Sequence, residues 1–234
     1  MKKKYNLLVI GSSSYLVSNK FFFDYFKNHY EIFLISSKNS KFDKFQKINF
    51  LKDSNIKFKF KNITFDGVLI LNHIRYNDLS KSLIKNFNLN KNIIKFIKKI
   101  RFKKIMYLST YSVYCSKSLD KEIFKVDPLN NPDSIYAISK LASEQYFSAN
   151  IENLMIIRIP NLIDNHSKNK SSHLNKNSLA INGKSKRYFA SMHGLYKKIN
   201  YIILSNTSIK LFNLHELRIS NKKAHVLSNN YIAK

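Results

Sequence analysis

The sequence predicts an α/β protein: a doubly wound, mostly parallel sheet with a small, shortened C-terminal lobe. Two observations predict it. Short apolar runs recur along the first two thirds of the chain, each too short for a helix core and each followed by a helical pattern. Parallel strands need crossover helices, so strands alternating with helices imply a sheet covered on both faces.

In chain order, residues 7–10 read as a buried strand. Residues 15–27 read as a helix carrying Leu16, Phe21, Phe22 and Phe26, with the Phe21-Phe22-Phe23 run as packing surface. Strands are expected at 31–35, at 55–60 from alternating Lys with Ile and Phe, and at 66–71. A helix at 79–100 would bury Leu79, Leu83, Ile84, Phe87, Ile94 and Ile97 on one face. A strand at 104–108, a helix at 132–148 and a strand at 154–159 complete the pattern. Beyond Asn161 the chain becomes rich in Lys, Ser and Asn, and the remainder is short for an independent domain. The expected organisation is a main sheet domain over 1–165 and a small lobe over 166–234 packed on it. In open sheets of this kind ligands bind beyond the carboxyl ends of the strands, which singles out residues 11–17, 36–38, 71–74, 109–115 and 159–164.

Composition narrows the function. The net charge of +27 raises nucleic-acid binding. Only five of the 41 basic residues are Arg, however, and the lysines are spread over the whole chain without interleaved aromatics. A solvated basic surface is therefore expected, with no nucleic-acid partner. The single cysteine, Cys115, excludes an internal disulfide, and with no His partner evident it reads as a structural thiol. The seven histidines show no metal-ligand spacing, so no metal is expected. The apolar run after Lys2-Lys3-Lys4 is too short for a signal peptide, and no stretch approaches the roughly 20 apolar residues of a membrane span. A cytoplasmic protein is expected.

The first strand leads into Gly11-Ser12-Ser13-Ser14-Tyr15-Leu16-Val17 and then a helix. This is the context of a turn whose backbone N–H groups receive a pyrophosphate, although a plain strand-to-helix turn capped by serine has the same outline. Ser14 stands at the second glycine position and Val17 at the third, where both are expected to crowd the phosphate. Further on, Tyr136-Ala137-Ile138-Ser139-Lys140 places a phenol and an ammonium one helical turn apart. A neighbouring cation favours the ionised phenol and fits it for proton transfer. In a chain with 14 tyrosines and 36 lysines such a spacing arises by chance, so the setting carries the information. That setting is Ser109-Thr110-Tyr111-Ser112-Val113-Tyr114, whose hydroxyls end the preceding strand.

The blocks Met106-Tyr107-Leu108-Ser109-Thr110-Tyr111-Ser112-Val113-Tyr114 and Asn131-Pro132-Asp133-Ser134-Ile135-Tyr136-Ala137-Ile138-Ser139-Lys140-Leu141-Ala142-Ser143-Glu144 resemble the extended short-chain dehydrogenase/reductase family. This is the NAD-dependent epimerase/dehydratase group acting on nucleotide sugars. Asn86 with Asn92-Ile93-Ile94, Arg158-Ile159-Pro160-Asn161, Phe189-Ala190-Ser191 and Leu211-Phe212-Asn213-Leu214 extend the similarity.

The resemblance implies a Rossmann-like fold and a site. Tyr136 would be the general acid/base, and Lys140 would lower its pKa and hold the nicotinamide ribose. Thr110 would orient the substrate, with Ser109 the lesser candidate. Gly11, Ser13, Ser14, Tyr15 and Leu16 would line the pyrophosphate, and Asn161 would lie beside the sugar nucleotide. Strand two ends in Ser36-Ser37-Lys38 without the acid that grips an NAD ribose, so Ser36 and Lys38 favour NADP over NAD. Tyr111 and Ser112 stand where the family's dehydratases carry Asp-Glu, which argues against dehydration. Three functions stay open: reduction of a keto group on a nucleotide-activated sugar for surface polysaccharide synthesis, 4-epimerisation of such a sugar, and a degenerate nucleotide-binding or scaffold subunit. The oligomeric state is open too, a homodimer being one possibility.

Overall fold

The computed structural model describes residues 4–18, 20–52, 56–114, 134–163, 186–214 and 216–220. Seven parallel strands form the main sheet. These are β1 (Tyr5–Ile10), β2 (Tyr30–Ser36), β3 (Phe45–Lys47), β4 (Thr64–Ile70), β5 (Arg101–Thr110), β6 (Leu154–Ile159) and, from the C-terminal part, the strand Leu211–Asn213. Between β6 and that last strand the chain forms β7 (Asn161–Ile163) and β8 (Lys186–Ser191), so Leu211–Asn213 is β9 and Leu217–Ser220 is β10. The main sheet runs β3-β2-β1-β4-β5-β6-β9, and β10-β8-β7 form a separate small sheet.

The helices are α1 (Tyr15–Ser18), α2 (Lys20–Phe26), α3 (Leu79–Ile97), α4 (Ile135–Asn150) and α5 (Met192–Leu204). A 3-10 turn, Tyr111–Tyr114, follows β5. The longer helices start where a side chain accepts an otherwise unpaired N–H: Asp78 from Lys81, Ser134 from Ala137 and Ser191 from Gly194.

Alternation along each strand sorts the core into two layers. Leu7 and Val9 of β1 face a cluster built from Phe22, Phe26, Tyr196, Ile199 and Ile202, which is the α2 and α5 side. Leu8 and Ile10 face Leu89, Ile93, Phe96 and Phe147, which is the α3 and α4 side. Of the residues expected in a lobe, α5 and β9 thus complete the main layers.

Two expectations are corrected. The third strand is Phe45–Lys47, not 55–60. Ile56, Phe58 and Phe60 are only partly buried and pack against the core without entering the ladder. The expected face of α3 also divides: Ile94 and Ile97 are buried, but Leu79, Ile84 and Phe87 are exposed, the last two at 59% and 48%. The buried face instead carries Ser82, Asn86 and Asn90, because the asparagines have partners inside. Asn86 pairs through its amide with both the N–H and the carbonyl of Ile74, and Asn90 Nδ2 donates to Ser143 Oγ. Pro132 and Cys115 lie outside the described residues.

The chain adds β2 and β3 on one side of β1, then crosses to β4 on the other. That reversal opens a crevice beyond the carboxyl ends of β1 and β4.

Candidate active site

The crevice holds a cleft of about 310 Å³, lined by residues that follow β1, β2, β3 and β4: Gly11, Ser13, Ser14, Ser37, Asn49 and His73 among them. This volume lies within the roughly 300–1,000 Å³ of small-molecule sites.

The turn after β1 is built on Gly11, at φ +94°. A Cβ there would stand 2.5 Å from Asn72 Oδ1 and 3.0 Å from the Asn72 backbone N. Glycine is thus demanded by the approach of the β4 end to the β1 end, whatever binds above them. The Gly11 and Ser12 N–H groups donate to the Ile35 carbonyl, pinning the turn to β2. Ser14 N–H turns back to the Gly11 carbonyl at 3.0 Å, and Leu16 N–H reaches Ser14 Oγ at 3.4 Å. Ser13 and Ser14 line the cleft, while Tyr15 stands half-exposed. Val17 does not crowd the phosphate position: it is 1% exposed and belongs to the core cluster with Phe22 and Phe26. At the end of β2, Ser36 is buried and its Oγ accepts the Lys38 N–H, Lys38 is exposed, and Ser37 lines the cleft.

On the other side stands α4. Tyr136 is half-buried, with the edge of His73 against it (centroids 5.2 Å, planes 81° apart) and the Arg75 guanidinium 4.3 Å from its ring centroid. His73 therefore belongs to both places, lining the cleft and touching Tyr136. Ser139 Oγ lies within hydrogen-bond distance of both the Tyr136 carbonyl and His73 Nε2, at 3.1 Å each. Burial pushes the His73 pKa down to about 3, helped by the charges of Lys140 and Arg75, so this ring is neutral.

Lys140, 4% exposed, donates to the Leu108 carbonyl at 2.7 Å and to the Tyr107 hydroxyl at 3.1 Å. Burial pushes its pKa down to about 7 against the pull of Glu144. Thr110 closes β5, with Oγ1 bonded to Ser112 Oγ at 3.1 Å and accepting the Ser112 N–H at 3.2 Å. Ser109 is buried beside it. Asn161 opens β7, in the small sheet, opposite Phe189 of β8. Among the described residues, Ser109 Oγ, Asn72 Oδ1 and His73 Nδ1 are buried polar atoms with no hydrogen-bond partner.

These features suit a dinucleotide. The cleft lies where the sheet reverses, serines line it, and unpaired polar atoms border it. The model of the NAD dependent epimerase/dehydratase family matches residues 7–187. The chain belongs to that family.

Solved structures share the fold. The UDP-N-acetylglucosamine 4-epimerase of Bacillus cereus superposes with a TM-score of 0.74 at 20% identity, over 98% of this chain and 82% of that one. Bordetella bronchiseptica WbmG in complex with NAD gives 0.73 at 16% identity, over 99% and 79%. Pseudomonas aeruginosa RMD complexed with NADPH gives 0.70 at 16% identity, over 97% and 84%. No curated protein sequence matches the chain.

The sequence analysis did not assign roles to Asn72, His73, Arg75, Tyr107 or the 48–51 loop, although 71–74 was among the segments to search. With the third strand placed at 55–60, the loop that follows the true β3 and lines the cleft was hidden. Among the described residues no His, Cys, Asp or Glu side chains group to hold a metal ion, and no helix is long and apolar enough to cross a membrane.

Proposed function

We propose that the chain is an NAD(P)-dependent reductase of a keto group on a nucleotide-activated sugar, working in the cytoplasm in surface polysaccharide synthesis. The observation that carries this is His73, which joins the cleft to Tyr136 and so sets a nucleotide-sized space beside a phenol. Gly11, Ser13, Ser14, Tyr15 and Leu16 would hold the pyrophosphate side of the cofactor, with Ser36 and Lys38 near its adenosine ribose. NADP is favoured, since no acid ends β2. A bound nicotinamide supplies the hydride. Tyr136 delivers the proton to the developing alkoxide, Thr110 Oγ1 orients the carbonyl, and Lys140 holds the ribose and supports the phenolate. Asn161 would meet the sugar nucleotide from the small sheet. Of the proposed lobe over 166–234, the substrate-binding part would be β8 and β10, which pair with β7 of the domain before it.

Epimerisation at C4 uses the same groups and differs in keeping its cofactor. The Ser14 and Leu16 N–H groups, turned back into their own loop, favour a third reading, a subunit that no longer binds cofactor. One experiment separates them: titrate NADPH and NADH calorimetrically into purified protein, and examine denatured protein for a released nicotinamide band. Reversible binding supports the reductase, released cofactor the epimerase, and neither the non-catalytic subunit. A homodimer is proposed as the assembly, supported by exposed Leu79, Ile84 and Phe87 on α3, where Phe87 meets Tyr146 of α4. Sedimentation of Ile84→Lys as a monomer and of wild type as a dimer would support it.

A further inference from the structure

Tyr107 lies in mid-β5, fully buried, its ring 4.9 Å from that of Phe147. Its hydroxyl oxygen accepts an N–H of Lys140 Nζ at 3.1 Å. Beside it, Ser143 Oγ donates to the Ser139 carbonyl at 2.9 Å and accepts the Asn90 amide at 2.9 Å. An oxygen lone pair turned to Lys140 favours an ammonium over an amine.

Counting donors shows what this does for the site. A charged lysine carries three N–H groups. One goes to the Leu108 carbonyl and one to Tyr107, which leaves a single N–H for a ligand.

We propose that Tyr107 is a positioning residue. With the Leu108 carbonyl, its hydroxyl fixes the Lys140 ammonium and leaves one N–H for the ribose hydroxyls of a bound dinucleotide. This role rests on the cofactor site proposed above. The charged and titratable groups around Lys140 are Glu144 on its own helix, Arg75 and His73 after β4, and Tyr107 on β5. Arg75 opposes the charge, His73 is neutral, and Glu144 is shared with Arg158. The Tyr107 lone pair adds to the support that Glu144 gives the ammonium, and Phe in its place keeps the ring while removing it.

The test has a ligand-free arm and a binding arm, both on the full chain. In the first, lysines labelled at the ε carbon are titrated by NMR, with the Lys140 signal assigned by its loss in Lys140→Met. The wild-type midpoint is expected near 7. In Tyr107→Phe it should fall by about one pH unit, the worth of one hydrogen bond to a charged group. In the second, NADPH and NADH affinities are measured from pH 6 to 9. Affinity should fall as pH rises through the midpoint, and should fall earlier in the variant. A role in packing alone would lower thermal stability and leave the midpoint where it was. An unmoved midpoint overturns the proposal whatever binds. A moved midpoint with no dinucleotide bound by wild type overturns the functional reading instead, and with it the role in binding. Should Tyr107→Phe fail to fold, Tyr107→Met, which also removes the hydroxyl, takes its place, and the same downward shift is expected.

Discussion

Arg158 of β6 and Glu144 of α4 form a two-pronged ion pair in the interior, with Nε 3.1 and 3.2 Å from the two carboxylate oxygens and Nη2 2.6 Å from Oε2. The pair is not isolated. Arg158 Nη1 donates to the Tyr114 hydroxyl at 2.7 Å, and Tyr114 donates onward to Asn213 Oδ1 at 2.7 Å. One guanidinium therefore locks α4, the turn after β5, and β9 to β6. Two turns along α4 from Glu144 stands Tyr136.

Arg158→Met should strand the Glu144 carboxylate at 1% exposure. Removing one partner of a buried pair costs about 3–5 kcal/mol, to be read from urea unfolding. The double variant Arg158→Met/Glu144→Leu should recover most of that loss, because no charge is left behind.

Tyr136→Phe should lower turnover at least about a hundredfold with cofactor affinity nearly unchanged, since only the proton-transfer group is removed. Steady-state kinetics with calorimetric binding decide it; full activity would end the assignment. Lys140→Ala should lose both turnover and binding.

The loop after β1 makes opposite demands at its two ends. Gly11→Ala should cost about 1–3 kcal/mol, for a strained φ and a collision with Asn72. Val17→Gly should destabilise by about 2–4 kcal/mol through a core cavity and lost helix propensity. It should not tighten cofactor binding, as a crowding valine would require. Thermal unfolding and NADPH titration of both variants check these outcomes.

Lys140→Met should change stability in a pH-dependent way. The folded-state pKa of Lys140 is lowered to about 7 from the usual 10.5. Between these values the unfolded chain holds a proton that the folded chain lacks, so wild-type stability gains from this group as pH rises above 7. Below 7 both states are protonated and the full cost of burying the charge is present. The variant should therefore gain on wild type by about 2–3 kcal/mol more at pH 6 than at pH 9, measured by denaturant midpoints.

Buried parallel strands read as apolar runs, which made β1, β2, β4, β5 and β6 legible in sequence. β3 was not, because a three-residue edge strand, Phe45-Gln46-Lys47, carries one apolar residue and no period. The alternation at 55–60 reflected partial burial without pairing. On α3 the apolar stripe misled, since Asn86 and Asn90 take interior places through hydrogen bonds that periodicity does not register. Tyr136, Lys140 and Gly11 stand out in the sequence as candidates by motif and setting. Their partners Tyr107, His73 and Asn72 do not, because which strand residue lies beneath a helical lysine is decided by packing.

The attachment of α5 to the opposite end of the chain has a consequence for synthesis. Tyr196 reaches the Leu16 carbonyl at 2.9 Å across 180 residues, and Tyr30 reaches Asn200 at 2.6 Å across 170. During translation β1 and β2 leave the ribosome long before the helix that covers them. Leu7, Val9 and Leu34 have only α2 to pack against on that face until residues 195–203 have been made. Closure of these distant contacts is slow by topology, and the waiting apolar surface is open to aggregation until it happens.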